Sequence, residues 1–223
     1  MAPIFLDKTN NWSAAVCQTP LRKPENKTIF RYALIGLSIL LGVVVRTGYL
    51  DSVEVPYIAG LQQAALNANI MWFFLACNHL GDSIVWIGMA LLFLAFDFRR
   101  PRKAVKFALF ITVMAVVVIV LRLLFPRTRP YDKFPSQVQP LAYEGLPSYP
   151  SGHVAPAAGG FYLLANHSRR LNAVFGVLVF LLGLSRVVTG AHYFTDVIGA
   201  ALFSYPIAAI IDDMKVFERF KER

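Results

Sequence analysis

The stretch Ser185-Arg186-Val187-Val188-Thr189-Gly190-Ala191-His192-Tyr193-Phe194-Thr195-Asp196 lies between two apolar runs, Ala173 to Leu184 and Val197 to Ile211. It sets an arginine, a histidine and a carboxylate at the ends of two segments suited to lipid. A charged side chain within a membrane helix costs roughly 2.5–3.5 kcal/mol on insertion scales, so such a cluster marks a functional site by default. His192 and Asp196 are four residues apart. On a helix that spacing stacks both side chains on one face, where the carboxylate holds one imidazole nitrogen and leaves the other free. A histidine held in this way serves as a base, a ligand or a nucleophile.

Working outward, the 223-residue chain is 57% hydrophobic and 16% charged, with a mean hydropathy of +0.53. It is too apolar for an ordinary soluble domain and reads as a multi-pass integral membrane protein. Apolar runs recur over Tyr32–Val45, Ile84–Phe96, Phe107–Leu121 and Val154–Ala165 before the two that flank the opening stretch. Lipid leaves an isolated segment only the helix to satisfy its backbone, so the expected fold is all-α, a bundle of six transmembrane helices. Each uninterrupted run is shorter than the roughly 20 residues of a typical span, and the charges settle the doubt. With both termini on the cytoplasmic side, 16 of the 22 basic residues fall inside, in the N-terminal tail, Arg99–Lys106, Arg169–Arg170 and the residues after Met214. This is the positive-inside pattern, and it accounts for the net charge of +9 without a nucleic-acid partner.

The domain organisation follows: a cytoplasmic tail over 1–31, a membrane-embedded domain over 32–213 and a cytoplasmic tail over 214–223. No apolar leader is read before the first run. Asp51–Leu66 suits an interfacial helix, and Trp72, Trp86, Tyr49 and Tyr57 read as interfacial aromatics. Cys17 and Cys77 have no metal-ligand spacing and are expected on opposite sides of the membrane, so no disulfide or zinc site is implied. The long polar segment Arg122–His153 is expected to be functional or disordered. In it Arg127, Tyr131, Lys133 and Glu144 read as solvated loop residues in preference to contacts to a head group. Asp82 and Asn67 read as polar contacts between helices in preference to neighbours of the site, and His79 and His167 as interfacial anchors.

The same topology puts three distant segments on the outer face: Arg122 to Arg129, the Pro150-Ser151-Gly152-His153 turn, and Ser185 to Asp196. Arg122, Arg129 and Arg186 lack enough local carboxylates to pair with, and forked guanidiniums suit phosphate oxygens. Ser151 adds a hydroxyl, and Gly152 opens backbone N–H groups at a helix N-terminus. His192 backed by Asp196 is placed to attack phosphorus, and His153 to protonate the leaving oxygen.

Arg122-x₆-Arg129-Pro130, Pro150-Ser151-Gly152-His153 and Ser185-Arg186-x₅-His192-x₃-Asp196 resemble the three-part signature of the type 2 phosphatidic acid phosphatase superfamily. The resemblance implies a metal-independent phosphatase working through a phosphohistidine on His192, with His153 as general acid and Asp196 orienting His192. Arg122, Arg129, Ser151, Gly152 and Arg186 would bind phosphate. The family usually has lysine where Arg122 stands, and the donor geometry differs there. The implied substrate is a lipid phosphate or diphosphate, with polyprenyl diphosphate put first. Phosphatidylglycerol phosphate, phosphatidic acid and lipid A phosphate come next, then a soluble sugar phosphate or a non-hydrolytic lipid carrier. Membrane lipids are the only other partner implied, with no protein partner. The expected location is the plasma or inner membrane, with the site facing periplasm, exterior or lumen.

Overall fold

The computed structural model describes residues 26–96, 101–165 and 168–214. Of the expected tails over 1–31 and 214–223, residues 1–25, with Cys17, and 215–223 lie outside the described residues, as do Arg99, Arg100 and His167, whereas 26–31 form the start of a helix. The described residues form helices α1 (Asn26–Arg46), α2 (Tyr49–Asn67), α3 (Met71–Asn78), α4 (Ser83–Phe96), α5 (Pro101–Leu124), α6 (Pro130–Lys133), α7 (Val154–Ala165), α8 (Arg169–Val188) and α9 (Phe194–Asp212). A short 3-10 turn, His79–Gly81, joins α3 to α4, and no strand occurs among the described residues. The all-α expectation holds, and each of the six apolar runs lies within a helix.

Among the described residues, four helices are long and apolar enough to cross a membrane: α1, Lys103–Leu124 of α5, α8 and α9. Met71–Gly81 and Ser83–Ala95 pass the same test only as a pair, bent by 44° at the break. α7 has 12 residues, a rise of about 18 Å. Protein surrounds it: Val154, Ala155, Pro156, Ala157, Gly159, Gly160, Phe161 and Ala165 are all buried. It packs against α5, α8 and α9. α1 runs antiparallel to α9, with Ser38 Oγ donating to Gly199 O at 2.9 Å and Arg31 Nη1 to Asp213 Oδ2 at 2.6 Å. The start of α1 and the end of α9 therefore share one end of the bundle.

The solvent inverts the usual distribution of side chains. Large apolar residues face outward, among them Leu40 on α1, Leu91 on α4, Leu123 on α5 and Phe180 on α8. Arg127, Arg129, Asp51, His192 and Asp196 are buried. Trp86 corrects the interfacial reading: it is 1% exposed, lies edge-on to Phe161 at 5.0 Å between ring centroids, and donates from its indole N–H to Leu80 O. Trp72, Tyr49 and Tyr57 stay exposed. α2 is the helix expected over Asp51–Leu66, but it turns its polar side inward. Asp51, Glu54 and Gln62 are buried while Tyr49, Val53 and Tyr57 are exposed.

Gly190 turns the chain from α8 to α9 at φ +77°, and a Cβ there would also meet Val138 Cγ1 at 2.6 Å. Only glycine fits both demands. A Cβ at Gly159 would lie 2.3 Å from Phe110 Cζ, whereas Gly88 on α4 has open space around it. Gly159→Ala is therefore expected to lower stability by about 1–3 kcal/mol through overpacking. Gly88→Ala is expected to cost nothing, as read by thermal unfolding of both variants in one detergent.

Candidate active site

Four parts of the chain converge at the end of the bundle where α9 begins. α5 carries Arg122 in its last turn, and Arg129 directly precedes α6. The turn Pro150–His153 leads into α7, and Arg186 lies in the last turn of α8. The sharp turn at Gly190 then sets His192 beside α9, whose first turn holds Asp196.

A carboxylate from the long loop occupies their centre. Glu144 Oε2 accepts from Arg129 Nη2 at 2.7 Å and lies 3.9 Å from Arg122 Nη2. Its Oε1 accepts from Arg186 Nη2 and is 3.3 Å from His153 Nδ1. His192 Nε2 is 4.0 Å from Oε2. Burial alone would raise the Glu144 pKa, yet the charges of His192 and His153 when protonated, and of Arg186 and Arg129, bring it down to about 2. The carboxylate shows that this nest of donors accommodates anionic oxygens. Tyr131 holds its backbone, donating to Glu144 O at 2.7 Å and accepting from Glu144 N at 2.9 Å. Arg186 Nε is buried without a partner among the described residues, so the nest has donor capacity to spare.

The two histidines are held in opposite senses. His192 Nδ1 faces Asp196 Oδ2 at 3.4 Å and Ser148 Oγ at 3.4 Å. Its Nε2 faces the nest, 3.4 Å from Arg129 Nη1. Burial, with Arg129 and Arg186 adding to it against the Asp196 hydrogen bond, lowers the His192 pKa to about 3. His192 is therefore neutral near pH 7, with Nδ1–H toward Asp196 and the Nε2 lone pair toward the nest. Asp196 Oδ2 also accepts from Ser148 Oγ and from Tyr193 N at 2.9 Å. His153 instead turns Nδ1 into the nest and Nε2 toward Asp82 Oδ1, at 3.2 Å. Burial and Arg186 lower its pKa from 6.5 against the pull of Glu144 and Asp82. Ser151 is buried with its hydroxyl accepting from Val154 N at 3.4 Å, which caps α7. Gly152 lies against the Arg122 guanidinium, where a Cβ would come within 2.8 Å of Nη2.

Beneath Asp196 is a second charged centre. Arg127 donates from Nη1 to Asp196 Oδ1 at 2.6 Å and to Thr195 Oγ1 at 2.7 Å. It donates from Nε to Asp51 Oδ1 at 2.9 Å and from Nη2 to Glu54 Oε1 at 3.1 Å. Its guanidinium lies over the Tyr193 ring, 3.6 Å from the centroid. Glu54 Oε2 also accepts from Thr195 N at 3.0 Å, so α2 is bolted to the first turn of α9. Lys133 neutralises the other Asp51 oxygen at 2.6 Å.

The structure brings all eight sequence-read residues to one locality, and it corrects the reading of several others. Arg127 and Glu144 are not solvated loop residues: the first is a buried hub and the second fills the nest. Asp82 is a partner of His153, not merely a contact between helices, whereas Asn67 accepts from Gln63 at the surface. A signal for Arg127 existed. Asp51 and Glu54, three apart near the start of α2, share a face, and a pair of carboxylates turned inward requires a buried cation. Glu144 carried no such local signal, because its partners are long-range.

The PAP2 superfamily model matches residues 124–216, so the family resemblance read from the three motifs is borne out over that segment; Arg122 falls just outside it. Phosphatidylglycerophosphatase B of Bacillus subtilis (strain 168) is 37% identical over 71 residues, 27% of this chain and 35% of that protein. The chain thus aligns with about a third of the curated relative's length. The crystal structure of a transmembrane PAP2-type phosphatidylglycerolphosphate phosphatase from Bacillus subtilis superposes with a TM-score of 0.69 at 22% identity, covering 86% of this chain and 98% of that one. That of Aquifex aeolicus LpxE gives 0.60 at 23% identity, with 73% and 96% covered. The shared fold and the apolar helices make this an integral membrane protein.

Arg127→Met leaves three buried carboxylates without their main counter-charge. It is expected to lower stability by about 3–5 kcal/mol, measured by thermal unfolding in detergent, with Arg127→Lys losing less.

Proposed function

From a chain whose residues 124–216 match the PAP2 superfamily, we propose a membrane-embedded phosphatase that removes phosphate from a lipid phosphate through a phosphohistidine on His192. The observation that carries this reading is the nest itself: an anion held among three arginines, with two carboxylate-backed histidines turning one nitrogen each toward it. Binding alone requires the arginines. A neutral nucleophile and a separate acid are groups that hydrolysis requires.

The substrate phosphate displaces the Glu144 carboxylate, and Arg122, Arg129 and Arg186 take its oxygens, assisted by the α7 N-terminus at Ser151 and Gly152. His192 Nε2 bonds to phosphorus as the P–O bond to the leaving group breaks, and the leaving oxygen takes the proton from His153 Nδ1. Water then attacks phosphorus and gives its proton back to His153 as the P–N bond breaks. Asp196 holds the imidazole throughout and stabilises the charge it gains.

An apolar cavity of about 250 Å³ runs from Arg122 and Gly152 between α4, α5 and α7, past Trp86, Ile111, Met114 and Val118. It supports a lipid tail lying in the membrane while the head group reaches the nest. Among head groups, phosphatidylglycerol phosphate goes first, ahead of the polyprenyl diphosphate favoured from sequence, because the curated relative carries that activity in its name. Six spans are proposed, α1, α4 with α3, α5, α7, α8 and α9, with both termini cytoplasmic, in keeping with the charge bias. The site then lies at the outer surface. It is at the opposite end of α9 from the Arg31–Asp213 pair, about 25 Å away by helical rise.

His192→Ala is expected to release no phosphate from any of phosphatidylglycerol phosphate, phosphatidic acid, polyprenyl diphosphate or lipid A phosphate at equal surface concentration. Release equal to wild type would sink the reading, and the wild-type ranking names the head group. In wild type, kcat/KM is expected to follow a bell in pH. It falls as pH drops through the His192 pKa of about 3, where the nucleophile becomes protonated. It falls again as pH rises through that of His153, which lies below the ordinary 6.5, where the acid loses its proton. A pH–rate series with one soluble phosphate monoester checks both limbs.

A further inference from the structure

Asp82 has no place in the three motifs and stands 71 residues from His153, yet the fold brings its Oδ1 to 3.2 Å from His153 Nε2. The contact is built in. Asp82 directly follows the turn His79–Gly81, and Trp86 pins that turn through Leu80 O at 2.9 Å. Gly81 lies so close to His153 that a Cβ there would be 2.5 Å from the His153 Cβ. The other carboxylate oxygen is held by His79 Nδ1 at 2.7 Å, so Asp82 has one oxygen anchored and one committed to His153. Its side chain is one-third exposed, and that of His79 is 78% exposed.

We propose that Asp82 is a positioning residue for the general acid, fixing His153 as its Nε2–H form so that only Nδ1 exchanges a proton with the substrate. The assignment rests on the phosphatase reading above and deepens it. The two histidines form a mirrored pair: Asp196 takes Nδ1 of His192 and frees Nε2, and Asp82 takes Nε2 of His153 and frees Nδ1. An imidazole carries two nitrogens that compete for one proton, and a hydrogen-bonded carboxylate decides which keeps it. Without Asp82, neutral His153 can place its hydrogen on either nitrogen, and the imidazolium loses a counter-charge opposite Arg186. The charged groups facing His153 are Asp82 from the turn, Glu144 from the loop and Arg186 from α8.

The test compares two substrates that differ in their need for an acid. For an alkyl lipid phosphate, Asp82→Asn is expected to lower kcat by roughly 10-fold or more, within the 10²–10⁴ a general acid supplies, with KM within about twofold. On p-nitrophenyl phosphate, whose leaving group departs without a proton, the same variant is expected to keep the wild-type kcat/KM, which reports phosphorylation of His192 and not the later hydrolysis in which His153 acts as base for either substrate. The alkaline limb of kcat/KM is expected to move to lower pH, and Asp82→Glu to recover part of the loss. Equal losses of kcat/KM on both substrates would make Asp82 merely structural and overturn the inference. So would wild-type rates on both substrates. A wild type that releases phosphate from neither substrate would instead overturn the phosphatase reading, and the inference would fall with it.

Discussion

Arg127 places a guanidinium where almost no water reaches, and three carboxylates from two helices converge on it. Asp51 and Glu54 come from α2 and Asp196 from α9. A buried charge is tolerated only when paired and hydrogen-bonded, so each member makes the others admissible. The consequences run outward. α2 lies against the bundle with its carboxylates inward because Arg127 is there to meet them. The first turn of α9 is held through Thr195 and Asp196 together, and Asp196 keeps its second oxygen for Ser148, Tyr193 N and His192 because Arg127 satisfies the first. The orientation of His192 thus depends on a helix more than 120 residues away in sequence.

Much of this was legible in the sequence because it is local or periodic. The apolar runs became helices since lipid permits an isolated segment nothing else. Arg122, Arg129, His153, Arg186, His192 and Asp196 declared themselves through short spacings that a turn or a helix end converts directly into geometry. The residues that escaped act only through partners far along the chain. Glu144 reads as a solvated loop carboxylate until Arg129 and Arg186 are seen on either side of it. Trp86 reads as an interfacial aromatic until the small residues of α7 open room for its ring. Asp82 is one carboxylate near a helix start until His153 arrives. α2 was read as interfacial from its mixed composition, but composition alone does not say which side of the helix the polar residues take.

The two halves of the molecule answer to different solvents. Along the bundle, apolar side chains point to lipid and small residues let the helices approach closely. At one end, charge is concentrated and internally neutralised. The cavity lined by Arg122 and Gly152 at one extreme and by Met114 and Val118 along its length joins the two regimes. A ligand that is anionic at one end and apolar along the rest matches both.

Glu144 belongs to the chain, and that changes how any anion in the nest behaves. A tethered carboxylate competes from an effective concentration set by its loop, of mM order for short flexible linkers, and dilution does not reduce it. An anion entering from outside must therefore be present in quantity, or bring binding energy from elsewhere on its own molecule, to hold the nest against it. A lipid ester has that second resource in its tail. Free inorganic phosphate does not, so the carboxylate discriminates against a small anion in favour of one that carries an apolar tail.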